Sequence, residues 1–432
     1  MINRFLKFSQ DKFEYLYNNS IIMKSIDKII LFSILMVFVV SVFAQSNLIG
    51  MFATITIFLT AVKLLVKPNE TIEYNKTDLW LLVYFMIVII TLFGSSLFAQ
   101  SFHGFLKYVI YLGFYVSLVQ YLKNNKDKIW WIILTITCCV SYEALQGFLQ
   151  SIIRPEEIST WQDTSYLNPE QIISRVYGTL KPLNPNLYGG YMIAAIPALM
   201  ASLAHETYYK RYINTGLLSI LLLLSIYAVF ASGCRGAYIA LFAIFVTLII
   251  LGYGFFKENY KNLYKSVVAG LFVLGTAFIF SVSALRARVL SIFMMRTDSS
   301  NSFRFNVYNS CIEMFKDNWL LGIGLGNQNF REVYGLYMKT GFDALSAYNI
   351  YLETAVESGI FALISFVAFL LLILVKGWEY IKNSDDTKNI IFASCCFVSI
   401  IGLMTHGMVD TVFFRPQIHV IFWTMAAIIR VL

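Results

Sequence analysis

Two arginines in short polar segments are the first candidates for chemistry, because a guanidinium group binds phosphate through a planar fork of donors. Arg235 lies in a short turn between two apolar runs, immediately before Gly236. The positive N-terminus of the helix predicted to start there adds to the same anion site. Taken alone, Arg235 suits a phosphate or a lipid headgroup equally well. Arg175 precedes a segment that Pro182 and Pro185 constrain, and an exposed loop position is its simpler explanation.

Arg304 is a third candidate, near the start of a helix predicted in a long polar segment. Its neighbours Arg286, Arg288 and Arg296 make this part of the chain basic. A cluster of charges is usually a solvated surface or a contact with headgroups, and that explanation is favoured for these three neighbours.

Acidic residues form a second group of candidates. Asn349, Glu353 and Glu357 recur every four residues at the start of an apolar run, so a helix would place them on one face. Carboxylates at this position should face the interior of a bundle or a wet cavity, because exposure to lipid is costly. Direct catalysis and hydrogen bonding between helices both remain open as their role.

His406 and Asp410 lie one helical turn apart, shortly before Arg415. His406 and Asp410 form a His–Asp pair, or Asp410 forms an ion pair with Arg415. A structural ion pair that closes the helical bundle is a simpler role for them than catalysis. Residues 322–326 contain a GxG pattern without a strand–loop–helix context, so they predict a tight turn at the membrane surface. The six cysteines show neither CxxC nor Cys/His spacing, so no metal site is predicted.

Transmembrane helices are the elements that must position these residues. The chain has 432 residues, of which 58% are hydrophobic and 13% charged, and its mean hydropathy is +0.67. Soluble domains carry about 25% charged residues, so an ordinary soluble enzyme and a disordered chain are excluded. A spanning helix needs about 20 apolar residues. This length predicts an all-α polytopic bundle of about twelve spans, at 29–44, 47–66, 79–98, 104–122, 129–152, 187–204, 212–231, 236–256, 265–285, 351–375, 389–409 and 417–432.

The basic residues of the short loops gather on one side of the membrane when both chain ends are placed inside. The two longer loops, 153–186 and 286–350, then lie outside. The first contains four prolines and is predicted to be turns and extended chain. Asn301 or Ser302 would cap a helix in the second, which predicts a partly helical extracytoplasmic cap. Neither loop is long enough for a separate domain, so residues 1–432 are predicted to form a single membrane domain.

Five motifs follow one another in a fixed order beyond about residue 170. They are Arg175-Val-Tyr-Gly-Thr179 with Pro185-Asn186, Ser232-Gly-Cys-Arg-Gly-Ala237, Arg304 followed by residues 315–324, Tyr348 to Gly359, and His406-Gly407 to Asp410. In this order and spacing the sequence resembles the bacterial O-antigen ligases and O-antigen polymerases, which are multispanning enzymes of cell-surface polysaccharide synthesis.

The resemblance implies a metal-independent glycosyltransferase without a cofactor in the cytoplasmic membrane. It would polymerise or ligate a polyprenyl-diphosphate-linked oligosaccharide on the outer face. Its partners would be this lipid-linked glycan, an acceptor glycan or lipid, and the bilayer, but no nucleic acid. The implied site consists of diphosphate-binding Arg175, Arg235 and Arg304, catalytic Tyr348, Glu353 and Glu357, and supporting Asn349, His406 and Asp410.

Tyr348 occupies the position at which ligases of this family carry a histidine that activates the acceptor hydroxyl. A tyrosine with an unperturbed pKa of about 10 is a poor base at neutral pH. This difference favours a polymerase or another transferase in which a carboxylate or the substrate itself serves. Two other classes remain open: a transporter or flippase of lipid-linked glycan or a small anion, and a non-catalytic scaffold of envelope assembly.

Overall fold

The structure is a computed structural model that describes residues 2–43, 46–153, 175–255, 258–294 and 299–432. Within these ranges the chain is helical and contains no β-strand, which confirms the all-α prediction. Seventeen α-helices follow one another in this part of the chain: α1 (Ile2–Asn19), α2 (Ile21–Lys24), α3 (Ile26–Phe43), α4 (Ser46–Val66), α5 (Lys76–Gly94), α6 (Phe98–Leu122), α7 (Ile129–Ile153), α8 (Pro185–Tyr208), α9 (Tyr212–Ala231), α10 (Arg235–Phe255), α11 (Glu258–Ser281), α12 (Ser283–Leu290), α13 (Ser299–Asp317), α14 (Asn327–Tyr334), α15 (Ile350–Asn383), α16 (Thr387–His406) and α17 (Pro416–Val431).

Eleven of these helices, α3 to α11 together with α15 and α16, are long and apolar enough to cross a membrane. They correspond to the first eleven predicted spans, so the polytopic helical bundle is confirmed. Local signals start several of them. Asn75 and Asp78 form a reciprocal capping box at α5. At α8, Asn184 caps the helix and Pro185 occupies its first turn, where the missing amide costs nothing.

The twelfth predicted span, α17, is shorter than the others and lies in the centre of the bundle. Its 16 residues extend over about 24 Å, less than the thickness of a hydrocarbon core. Nearly all of its side chains are buried, including Phe422 and Trp423. It packs against α3, α4, α6, α8, α15 and α16. An apolar surface on every side is typical of a buried helix. The apolar sequence of α17 is therefore explained by packing against other helices rather than by contact with lipid.

The amphipathic helix α1 was not expected from the search for spans. It packs on α4, and Gln10 Nε2 donates to the carbonyls of Leu64 and Glu70 at 2.8 Å each. Phe5 and Phe8 are exposed. A helix of this kind lies in a membrane interface rather than across it. The buried Lys63 forms an ion pair of 2.8 Å with the partly exposed Asp27 at the same end of the bundle.

The second long loop forms a helical cap at the opposite end, as predicted. Val307, Cys311 and Met314 of α13 are buried in a small core with Phe330 and Tyr334 of α14. Of the first long loop, residues 154–174 lie outside the described residues, and residues 175–184 contain no helix. Because consecutive spans run in opposite directions, the cap and all candidate site residues are brought to one end of the bundle.

Candidate functional site

The turn between α9 and α10, residues 232–235, forms the centre of the candidate site and is called the arginine turn. Gly233 has φ +62°, a conformation that favours glycine. A Cβ atom at Gly233 would lie 3.0 Å from Cγ of Arg175, so that side chain packs directly on the turn. Arg235 is the first residue of α10. Its charge therefore lies where the first amides of a helix have no helical acceptor.

Two further guanidinium groups bind the backbone of the arginine turn. Arg175 Nε donates to the Ser232 carbonyl at 2.8 Å, and its terminal nitrogen donates to Asn186 Oδ1 at 2.5 Å. Arg288 Nε donates to the Gly233 carbonyl at 2.9 Å. The chain before α8 and the cap helix α12 are thus joined at one turn, where the positive charges converge.

Arg235 extends from the turn toward the cap and is only 6% exposed. Its guanidinium donates to Ser291 Oγ at 3.2 Å. Arg288 is also buried, at 7% exposure, so the expectation of a solvated surface was wrong for this residue. The same expectation is confirmed for the exposed Arg286, and Arg296 lies outside the described residues. Arg286 and Arg288 are two positions apart and therefore point to different sides of α12.

Arg304 forms a second group with Asp410 and Tyr348. Its guanidinium lies 3.7 Å from Asp410 Oδ2 and 5.9 Å from the centre of the Tyr348 ring. Asp410 Oδ1 accepts hydrogen bonds from the amides of Thr411 at 2.7 Å and Val412 at 3.2 Å. The ion-pair partner of Asp410 is therefore Arg304, and neither of the two expected partners, His406 and Arg415, takes this position.

His406 connects the two arginine groups. Its Nε2 lies 3.6 Å from Cys234 Sγ in the arginine turn, and Asp410 follows one turn later in the chain. The ring is buried at 1% exposure and fits against glycines, since a Cβ at Gly236 would lie 3.3 Å from Nε2. The structure thus brings Arg175 and Arg235 together at the arginine turn. Arg304 lies near them through Asp410, which is four positions from the His406 that contacts this turn. Cys234 and Arg288 are members that the sequence analysis did not assign.

Asn349, Glu353 and Glu357 hold the start of α15. Asn349 is the N-cap, and its Oδ1 accepts from the amides of Tyr351 and Leu352 at 2.9 and 3.0 Å. Glu353 Oε2 accepts from the Ala347 amide and Glu357 Oε1 from the Gly326 amide, both at 2.9 Å. The two glutamates line one cavity of about 40 Å³, as their spacing predicted. The other polar side chains that line this cavity, none of them expected from the sequence, are Lys107, Tyr108, Tyr111, Asn327 and His419.

The helix that carries these glutamates is broken at Gly359. This residue has φ +79° and ψ 178°, so α15 consists of two helical pieces joined by one non-helical residue. The Ile323 amide donates to the Val356 carbonyl at 2.9 Å, and the Ile360 amide donates to the Trp319 carbonyl at 2.9 Å. A segment from the cap therefore satisfies the backbone groups that the break releases.

The segment that fills the break, residues 319–326, is called the glycine loop. Thr91 Oγ1 donates to its Leu321 carbonyl at 3.0 Å. A Cβ at Gly104 of α6 would lie 2.6 Å from the Leu325 carbonyl oxygen. The glycine loop is thus packed between α5, α6 and α15. A turn was correctly predicted here, but it contacts the interior of the bundle.

We expect Gly359→Ala to lower the free energy of unfolding by about 3 kcal/mol or more. A methyl group there would lie 2.2 Å from the Leu320 carbonyl oxygen, and φ is positive. Gly341→Ala is the matched control, because φ is +87° but no atom lies within 4 Å. Thermal unfolding in detergent should show the larger loss for Gly359→Ala. Equal losses in both variants would mean that the close packing at the break contributes nothing.

The candidate site overlaps a segment that is similar to a known family. Residues 220–367, about a third of the chain, match a family model described as O-antigen ligase. This range contains Arg235, Arg304 and Tyr348, while Arg175 and Asp410 lie outside it. No curated protein sequence matches the chain. The match supports glycan transfer of the ligase or polymerase type in general. The family match agrees with the resemblance seen in the motifs: residues 220–367 of this multi-pass membrane protein are similar to the O-antigen ligase family.

Proposed function

We propose that the protein transfers a glycan from a polyprenyl diphosphate to an acceptor sugar hydroxyl on the outer face of the cytoplasmic membrane. The observation that carries the proposal is the convergence of Arg175, Arg235 and Arg288 on the arginine turn, next to the Arg304–Asp410 pair. Both chain ends would lie inside, and the cap outside. The lipid-linked glycan would enter between helices at the cap end.

The arginines would bind the diphosphate and stabilise it as a leaving group. Negative charge grows on the diphosphate as the glycosidic bond lengthens. Guanidinium groups that are already held in place meet this charge without reorganisation. Arg235 and Arg288 are both buried, and electrostatic interactions are stronger in such surroundings than in water. In this scheme the arginines supply the compensating charge, so the proposal requires no metal and no cofactor.

Asp410 is the best placed group to receive the proton of the acceptor hydroxyl. Its Oδ2 atom is buried and accepts no hydrogen bond from any described residue, and it lies 3.7 Å from the Arg304 guanidinium. A base next to a phosphate-binding arginine would bring the acceptor close to the anomeric carbon. Glu353 and Glu357 each bind a backbone amide of a loop. We therefore assign them a positioning role for the cap in this scheme.

Tyr348→Phe is expected to keep transfer within about threefold of the wild-type rate. Burial, with a smaller contribution from Asp410, raises the pKa of Tyr348 above its ordinary value. The hydroxyl is thus protonated at neutral pH and is no base, while phenylalanine keeps the aromatic ring beside Arg304. The measurement is the initial rate between pH 6 and 9. A loss of 100-fold or more in Tyr348→Phe would assign the proton transfer to the tyrosine after all.

A transporter or flippase of lipid-linked glycan is the second candidate function. Buried polar side chains within a bundle of spans are compatible with it, but transporters place their sites near the middle of the membrane. Here the candidate residues lie at helix ends and in the cap. This placement favours chemistry at the membrane surface.

Purified protein in detergent, supplied with a synthetic polyprenyl-diphosphate oligosaccharide and an acceptor, tests the proposal. No sealed compartment is present, so transport cannot produce a signal. A ladder of products indicates a polymerase, and a single added block indicates a ligase. If neither product forms, while the same protein moves the lipid-linked glycan across vesicles, the transporter is correct.

A further inference from the structure

The end of the bundle opposite the candidate site contains a polar cavity of about 170 Å³. The end of α6, the segment after it and the end of α17 form its walls. Its charged groups are Lys123, Lys126, Arg430 and Glu73. Arg430 is already bound to Asp78 at 2.8 Å. Two lysines against one glutamate therefore give this cavity a positive charge.

An apolar groove of about 490 Å³ adjoins this cavity along α4, α5 and α6. The two spaces share Glu73, Val119 and Gln120 as wall residues. Leu82 and Val116, which line the groove, are 54% and 49% exposed. The groove thus opens toward the bilayer. A charged cavity that continues into an apolar groove has the shape required by an amphiphile.

One face of α6 repeats the order of chemical groups in a phospholipid. Val116, Gln120 and Lys123 follow one another at helical spacing, and the distance along the axis from the first to the last is about 10 Å. An apolar side chain, an amide and an ammonium group thus lead from the groove into the cavity. Acyl chain, ester linkage and phosphate follow in the same order over a similar length.

Two buried polar side chains point independently to a ligand in this place. Gln120 is 3% exposed, and its Oε1 has no hydrogen-bond partner among the described residues. Thr60 is also 3% exposed, and its Oγ1 likewise has no hydrogen-bond partner among the described residues. Gln120 lines both spaces and Thr60 lines the groove. Burying a polar atom without a hydrogen-bond partner lowers stability, and a ligand with ester or hydroxyl groups supplies the missing partner.

We propose that this cavity and groove bind a phospholipid with an anionic headgroup. The phosphate lies between Lys123 and Lys126, the ester region contacts Gln120, and an acyl chain follows Val116 along the groove. Basic pockets between spanning helices suit such headgroups. Because the distribution of basic residues predicts that this end faces the cytoplasm, the lipid comes from the inner leaflet. The inference does not depend on the proposed glycan transfer.

Native mass spectrometry of the purified full chain in detergent, with added phosphatidylglycerol or phosphatidylcholine, tests this site. We expect the wild type to retain phosphatidylglycerol with a preference of about tenfold, since the two lysines attract its net negative charge, which phosphatidylcholine lacks. Lys126→Glu should abolish this preference. Val116→Trp, which fills the groove from the lipid side, should reduce retention of phosphatidylglycerol. Lys12→Glu, an exposed lysine of α1, is the charge-matched control and should behave as the wild type.

Each alternative outcome contradicts a defined part of the proposal. Equal retention of the two lipids by the wild type would exclude a specific anionic site. An unchanged preference in Lys126→Glu, as in the control Lys12→Glu, would exclude it as well. Full retention by Val116→Trp would exclude the groove. Inorganic phosphate is the comparison for the headgroup alone. If it raises the melting temperature as much as phosphatidylglycerol does, the cavity binds free phosphate and the lipid assignment is wrong.

Discussion

Arg235→Lys is expected to lower the rate of glycan transfer at least about 100-fold, while the protein still inserts and folds. Lysine keeps the positive charge but replaces a planar fork of donors with a single ammonium group. In the structure the Arg235 guanidinium donates to Ser291 Oγ at 3.2 Å, and the single ammonium group of a lysine cannot reproduce both this contact and a planar fork of donors toward a diphosphate. The measurement is the initial rate with a polyprenyl-diphosphate oligosaccharide, normalised to protein that elutes as a single species.

Arg286→Lys is the matched control for this prediction. Arg286 belongs to the cap helix α12, which also carries Arg288, but its side chain is exposed. Its conservative replacement should leave the rate within about twofold, as surface substitutions usually do. A wild-type rate in Arg235→Lys would exclude the proposed diphosphate-binding role of the Arg235 guanidinium. An equal loss of rate in both variants would indicate that replacing any arginine near the cap lowers transfer.

Asp410→Asn is expected to have the second large effect, a loss of about 100-fold or more in the rate of transfer. Asparagine is close in shape and its side-chain oxygen can still accept from the amides of Thr411 and Val412, which Asp410 now binds. The replacement removes the carboxylate that faces Arg304. The rate should therefore fall without a large change in melting temperature.

Asp343→Asn separates this effect from the loss of any ion pair. Asp343 pairs with Arg331 at 3.1 Å, but both side chains are more than half exposed. Exposed pairs contribute about 0–1 kcal/mol, so neither rate nor stability should change. If Asp410→Asn transfers glycan normally, the proton must leave by another route, and the substrate itself becomes the best candidate for the base.

The helical bundle was predictable from the sequence because hydrophobic length has few alternative explanations. About 20 apolar residues in a row can bury their backbone groups in lipid only as a helix. The alternation of direction then brings Arg235 and His406 to one end without any knowledge of their contacts. The same logic missed α1, because an amphipathic helix such as Ile2–Asn19 has no long apolar run.

The detailed site could not be predicted because its partners are distant in the chain. Arg304 meets Asp410 across 106 positions, and no local pattern favours this pair over Asp410 with Arg415. The sequence predicts a surface position for Arg288, because it does not reveal which side of α12 meets the arginine turn. The break at Gly359 was equally hidden, since a single glycine in an apolar run fits a continuous span.

The glycine loop has a consequence for chimeric proteins. Its amides and carbonyls complete the hydrogen bonding of α15 around Gly359, so the cap and the span below it fold as one unit. Exchanging residues 286–350 alone with a relative would transplant half of a shared backbone interface. A functional hybrid therefore requires that the exchanged piece extend through residue 360, with the joint placed in the regular helix that follows.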